Sequence, residues 1–154
     1  MHDIQLSPHF RLSEFIKSST ASARGIDNTP SLEVVSNLQQ LCIHVLEPLR
    51  ANASPPPGDL GGLVVSSGYR SPALNKAVGG SATSQHMTGE AADLRIPSEA
   101  IGKEWFKWIM DNCKFHQLIW EKDSPSSAHH WIHVSFRQDG GNKQQVIENL
   151  VKNK

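Results

Sequence analysis

The chain has 154 residues, 15 basic and 15 acidic, for a formal net charge of zero. That length accommodates one domain over 1–154 with no second sizeable core, and the balanced charge removes any bulk electrostatic case for nucleic acid or an anionic membrane. Cys42 and Cys113 stand alone in helix-like patterns, which predicts buried free thiols rather than a disulfide framework. No apolar run approaches the roughly 20 residues that span a bilayer. Met1-His2-Asp3-Ile4-Gln5 has neither the basic nor the apolar part of a signal peptide, so synthesis into the cytoplasm is expected.

Residues 1–20 read as a loosely structured arm leading into a short helix, with Leu12, Phe15 and Ile16 as its apolar stripe. After a connector over 23–28, Thr29-Pro30 has the form of an N-cap followed by proline at the first helical position. Leu32, Val35, Leu38, Cys42, Val45 and Leu49 then recur at three- and four-residue steps, the stripe of an amphipathic helix that Pro48 should kink or end. Prolines and glycines over 51–62 make a surface loop. A β-type run over 63–67 feeds Gly68-Tyr69-Arg70, and Ser71-Pro72 opens another short helix.

Ser84-Gln85-His86-Met87-Thr88-Gly89-Glu90-Ala91-Ala92-Asp93 carries a histidine and a carboxylate seven residues apart, with a glycine between them where the chain can turn. Alternation over 91–96 puts Asp93 on one face with Ala91 and Arg95. Beyond a predicted helix starting near Pro97-Ser98-Glu99, strands are expected over 115–121 and 131–136, paired antiparallel across a polar loop. In the second, His133 shares a face with Trp131 and Ser135. Imidazole and carboxylate donors suit Zn²⁺, and a catalytic zinc takes three protein ligands, so His86, Asp93 and His133 form the candidate metal set, one ion per chain. Val146, Ile147, Leu150 and Val151 suggest a last short helix over 144–152 in a tail running from 137. His129-His130 is a pair in a polar loop and reads as solvated, and His2, His9, His44 and His116 have no partner at ligand spacing.

Ser-x-His-x-x-Gly-x-x-x-Asp over 84–93, the later Trp131-Ile132-His133-Val134-Ser135, Ser67-Gly68-Tyr69-Arg70-Ser71-Pro72 and Leu118-Ile119-Trp120-Glu121 together resemble the zinc D-alanyl-D-alanine carboxypeptidase family. The resemblance runs from about Phe15 to about Phe136. It implies an α+β fold of the Hedgehog/D,D-peptidase kind, a small antiparallel sheet carrying the zinc site between helices. It also implies hydrolysis of peptidoglycan stem peptides at D-amino acids, by a carboxypeptidase or a phage-type endopeptidase acting on the cell wall after release, as a monomer. Arg70 would bind substrate or stabilise the transition state, and Ser84 would touch substrate. For the general base, two patterns within the family compete. One places an acidic residue three positions before the last histidine ligand, where this chain departs with His130; the other places a glutamate at the end of the preceding strand, where it has Glu121, so Glu121 is favoured and His130 is the runner-up. A non-catalytic zinc or peptide-binding module and an intracellular D,D-dipeptidase are the alternatives on the same scaffold.

Overall fold

The computed structural model describes residues 3–151. The chain opens with a hairpin of β1 (Gln5–Ser7) and β2 (Phe10–Arg11), then the short helices α1 (Ser13–Ile16) and α2 (Ser19–Arg24). The expected loose arm is therefore an ordered hairpin. Leu6, Phe10, Leu12 and Phe15 are each at most 2% exposed, and this apolar set fixes the segment against the body of the molecule. The expectation for His2 lies outside the described residues.

Helix α3 (Leu32–Leu41) passes through a π-helical segment (Cys42–Leu46) into α4 (Glu47–Asn52). Its cap is Ser31 rather than Thr29, with the serine hydroxyl accepting from the Val34 N–H at 3.2 Å. Pro48 does not end the helical run. The Glu47 N–H donates to the Cys42 carbonyl across a wider turn, and the proline takes a place in the first turn of α4. There its missing N–H and its ring are tolerated. Leu38, Leu41, Cys42, Val45, Leu46 and Leu49 have no exposed surface, whereas Leu32 is 86% exposed and stands outside the stripe.

After β3 (Val65–Ser67), α5 (Pro72–Ala77) and a 3₁₀ turn (Gln85–Thr88) come β4 (Ala91–Leu94), α6 (Glu99–Asn112), β5 (Gln117–Lys122), β6 (His130–Ser135) and β7 (Gln145–Val151). The main sheet runs β3-β4-β6-β5-β7, antiparallel except for the parallel pair β5–β7. The class is α+β, with a mixed sheet in place of a purely antiparallel one. The helix expected over 144–152 is the edge strand β7, apart from Lys152, which lies outside the described residues. Its register slips opposite Ile119 to Glu121, so one extra residue sits between Ile147 and Leu150. That bulge breaks the alternation of two and leaves apolar residues at steps of one and three, which imitate a helix.

One face of the sheet, with Leu94, Leu118, Trp120, Ile132 and Val134, packs into a common core with α3, α4 and α6. The opposite face carries Asp93, Glu121 and His133. Among the described residues no helix is long and apolar enough to cross a membrane.

Glu47 ties the hairpin to α4. Its Oε2 accepts from Ser7 Oγ and the His9 N–H, each at 2.7 Å, and His9 Nδ1 lies 2.7 Å from Oε1. Burial works against ionisation, but these bonds hold the carboxyl below its ordinary 4.5. A lowered folded pKa means stability that is present above the unfolded value and lost as pH falls through the folded one. Glu47→Gln should cost about 1–3 kcal/mol at pH 7. Chemical denaturation across pH should show the gap to wild type closing below about pH 4.5; a gap independent of pH would refute the assignment. Gly89 supplies a second test. Its φ is +76°, and a Cβ there would meet the Val34 carbonyl oxygen at 2.7 Å, whereas Gly25, at φ +65°, has nothing within 4 Å. Both alanine variants pay the left-handed backbone cost of about 1–2 kcal/mol, and Gly89→Ala should be the more destabilised in the same denaturation assay.

Candidate metal centre

Pairing of β4 with β6 sets Asp93 directly opposite His133, and pairing of β5 with β6 sets Glu121 opposite Trp131, two residues along on the same face. The alternation of strand side chains thus aims Asp93, His133 and Glu121 into one space. His86 arrives from outside the sheet, on the 3₁₀ turn capped by Ser84, and Gly89 in left-handed geometry turns the chain from there into β4. The ligand atoms of His86, Asp93 and His133 all lie within 4.8 Å of one another. Asp93 Oδ1 is 3.3 Å from His86 Nε2 and 3.0 Å from His133 Nδ1. Donors on a tetrahedron with bonds of about 2.1 Å are about 3.4 Å apart, so the three atoms are spaced to share one ion.

The protons point the same way. His86 Nδ1 is 2.6 Å from the Gly68 carbonyl, which can only accept, so Nδ1 carries the hydrogen and the Nε2 lone pair faces Asp93. Burial drives the His86 pKa down despite the nearby Asp93 charge, which favours the neutral ring that a metal requires. Burial opposes ionisation of Asp93, but positive charge on the His86 side and a hydrogen bond from His133 hold the carboxyl far below the usual range, roles that a bound metal ion would take over from those protons. A buried lone pair and a partly buried carboxylate oxygen 3.3 Å apart call for a cation between them. The residues present fit a divalent metal ion, with the Gly68 carbonyl as the outer support of His86.

Glu121 lies at the edge of this group, its Oε1 3.9 Å from His133 Nδ1. The structure does not bring His130 there. It starts β6 one strand position out of phase with His133, so its ring projects to the other face and stacks on Trp120 at 5.2 Å. Arg70 reaches the site from the loop after β3. Its Nη2 donates to Ser84 Oγ at 3.3 Å, and its Nε is buried with no hydrogen-bond partner. Burial lowers the Arg70 pKa, while the charges of Asp93 and Glu121 act against that shift. Ser84 Oγ also accepts from the His86 N–H at 3.2 Å, so it braces the ligand turn as well as the guanidinium.

The backbone on both sides of Arg70 is fastened by Asn28, which the sequence reading left in a connector. Asn28 Nδ2 donates to the Ile16 and Tyr69 carbonyls at 2.8 and 3.1 Å, and its Oδ1 accepts the Ser71 N–H at 2.7 Å. The Phe15 carbonyl takes the Tyr69 N–H at 2.7 Å, and the His86 carbonyl takes the Arg70 N–H at 3.0 Å. Only glycine fits at 68, because a Cβ would sit 2.6 Å from the Phe15 oxygen. A cleft of about 330 Å³ opens beside the group, lined by Arg70, Asp93, Trp131 and His129 among others. His129, read from sequence as a solvated loop residue, therefore faces the cleft. Its ring lies 5.7 Å from that of Trp131, whose Nε1 is buried without a partner.

Titration with Zn²⁺ or Co²⁺ should give one ion per chain. Asp93→Ala should weaken binding by more than about a hundredfold, and undiminished affinity would remove these residues as the ligand set.

Among known proteins, no curated protein matches the chain. The family model described as Peptidase M15 matches residues 8–135, which take in the hairpin, the Arg70 loop and all three candidate ligands. With well over half its length matched and a metal-ready His, Asp, His group inside the match, the chain belongs to the Peptidase M15 family of metal-dependent peptidases.

Proposed function

We propose that this peptidase is a zinc enzyme that hydrolyses peptide bonds next to D-amino acids in peptidoglycan stem peptides. The observation that carries the reading is the common face of β4, β5 and β6. It sets Glu121 3.9 Å from a ligand atom and leaves Arg70 with a buried, uncommitted donor beside the same cleft. A zinc ion held by His86, Asp93 and His133 supplies Lewis acidity to the scissile carbonyl and raises the acidity of a water molecule.

The protein's own groups do the rest. The Glu121 carboxylate takes a proton from the attacking water and returns it to the departing amine. The Arg70 guanidinium, held by Ser84 and the Asn28 clamp, faces the oxygen on which negative charge develops, or the free carboxylate of a substrate that ends there. Gly68 keeps His86 in one tautomer through the cycle. The position of His130 on the other face of the sheet, stacked on Trp120, supports Glu121 in the base role. The same carboxylate within reach of the ligands favours catalysis over the purely binding module.

Mass spectrometry of fragments released from purified peptidoglycan by the zinc-loaded protein, with a chelated control, should show chelator-sensitive products whose masses name the bond. Glu121→Gln should keep the metal and lose at least about a hundredfold in kcat, whereas His130→Ala should retain activity. Near-normal turnover by Glu121→Gln would remove it as the base. Absence of fragments from a fully metallated protein would overturn the peptidoglycan reading.

A further inference from the structure

The cleft beside the metal ligands has a second lining chemistry besides theirs. Lys17 and Arg95 line it, as do the hydroxyl-bearing Ser19 and Ser67. Both cationic side chains belong to exposed residues and neither meets an acidic partner among the described residues. Of the carboxylates that line the cleft, Asp93 is committed to the two histidines, which leaves Asp123 alone against Lys17, Arg70 and Arg95.

The positions of these cations are set by backbone rather than by chance of side-chain drift. Lys17 directly follows α1, whose Phe15 carbonyl is bonded to the Tyr69 N–H and whose Ile16 carbonyl is bonded to Asn28. Lys17 is thus tied to the same segment that holds Arg70. Arg95 follows β4, and its N–H donates to the Val64 carbonyl at 2.9 Å, so strand pairing extends through it. It shares the face of Asp93 two residues further on, about 7 Å along the strand. An extended peptide advances about 3.3–3.6 Å per residue, so in a substrate laid along β4 with its scissile bond at the ligands, the second residue beyond that bond falls at Arg95.

We infer that Lys17 and Arg95 form a specificity subsite for a carboxylate on the substrate residue two positions from the scissile bond. The inference rests on the peptidase reading and adds the substrate's charge to it: the preferred peptide is acidic, and its carboxamide counterpart is disfavoured. A guanidinium and an ammonium that line one cleft can both bind a carboxylate there through charge-assisted bonds.

The test uses two synthetic stem peptides that differ only in a carboxylate or a carboxamide at that residue. Affinity is measured by calorimetry on the zinc-loaded Glu121→Gln protein, and kcat/KM on the zinc-loaded wild type. The carboxylate peptide should bind about tenfold more tightly, a preference that shrinks in high salt. Lys17→Ala and Arg95→Ala should each reduce the preference, and the double variant should bind both peptides alike. Equal affinity in the Glu121→Gln background, or a preference that survives the double substitution, overturns the subsite. A charge preference in binding with no hydrolysis by wild type supports the subsite and overturns the peptidase reading, so the two failures are distinguishable.

Discussion

A partly buried carboxylate facing two buried imidazoles is the constraint around which the molecule is arranged. Asp93 Oδ1 lies 3.0 and 3.3 Å from nitrogens of His133 and His86, and burying a carboxylate is costly unless it is paired. Pairing of β4 with β6 fixes one contact, because Asp93 and His133 are direct cross-strand partners. The other depends on a turn that must leave the sheet plane and return within seven residues. Gly89 makes that return possible, where the backbone passes so close to α3 that a Cβ would meet the Val34 carbonyl at 2.7 Å. The long helix therefore does more than fill the core: it sets how near the His86 turn can come to the strand bearing Asp93.

The hairpin at the start of the chain is linked to the same centre by a short chain of hydrogen bonds. Phe15 and Ile16, which follow the hairpin, offer their carbonyls to Tyr69 and Asn28. Asn28 grips Tyr69 and Ser71, and Arg70 between them bonds through its N–H to the His86 carbonyl. The Gly68 carbonyl in turn receives the proton of His86 Nδ1. A guanidinium whose backbone is held on both sides loses less freedom on meeting substrate, which is how distant packing bears on catalysis. Glu47, by holding the hairpin to α4, acts at the first step of this relay.

Much of the centre was legible in the sequence because strand alternation is strict. Asp93 with Arg95, and His133 with Trp131, were assigned to common faces from period alone, and the structure joins the two faces. The same parity, applied from β6, separates His130 from His133, and it explains why a residue three before a ligand lies on the far side of the sheet here. Glu121 was named through the family resemblance rather than any local pattern, and its place beside His133 rests on a long-range fact, the register of β5 against β6. Asn28, Lys17 and the acceptor role of the Gly68 carbonyl were not legible, since each acts through contacts between residues distant in sequence. The final strand was misread as a helix because a bulge put its apolar residues at helical steps.

The order of the sheet also explains the shape of the electrostatics. The sheet holds β4, β6 and β5 side by side, so the acidic side chains Asp93 and Glu121 flank His133 on one face. The neighbouring edge strand β3 instead feeds a loop that ends in Arg70, and Arg95 follows β4 beside the start of β3. Negative charge therefore concentrates where a metal ion would neutralise it, and positive charge lies elsewhere on the cleft lining. On the proposed reading, a field divided in this way would orient an extended acidic peptide before chemistry begins, its carboxylates repelled from unmetallated ligands and attracted towards the basic residues. With the metal bound, the acidic end loses most of its charge and the orientation rests on Lys17, Arg70 and Arg95, so direction of binding and metal occupancy are coupled through the same carboxylates.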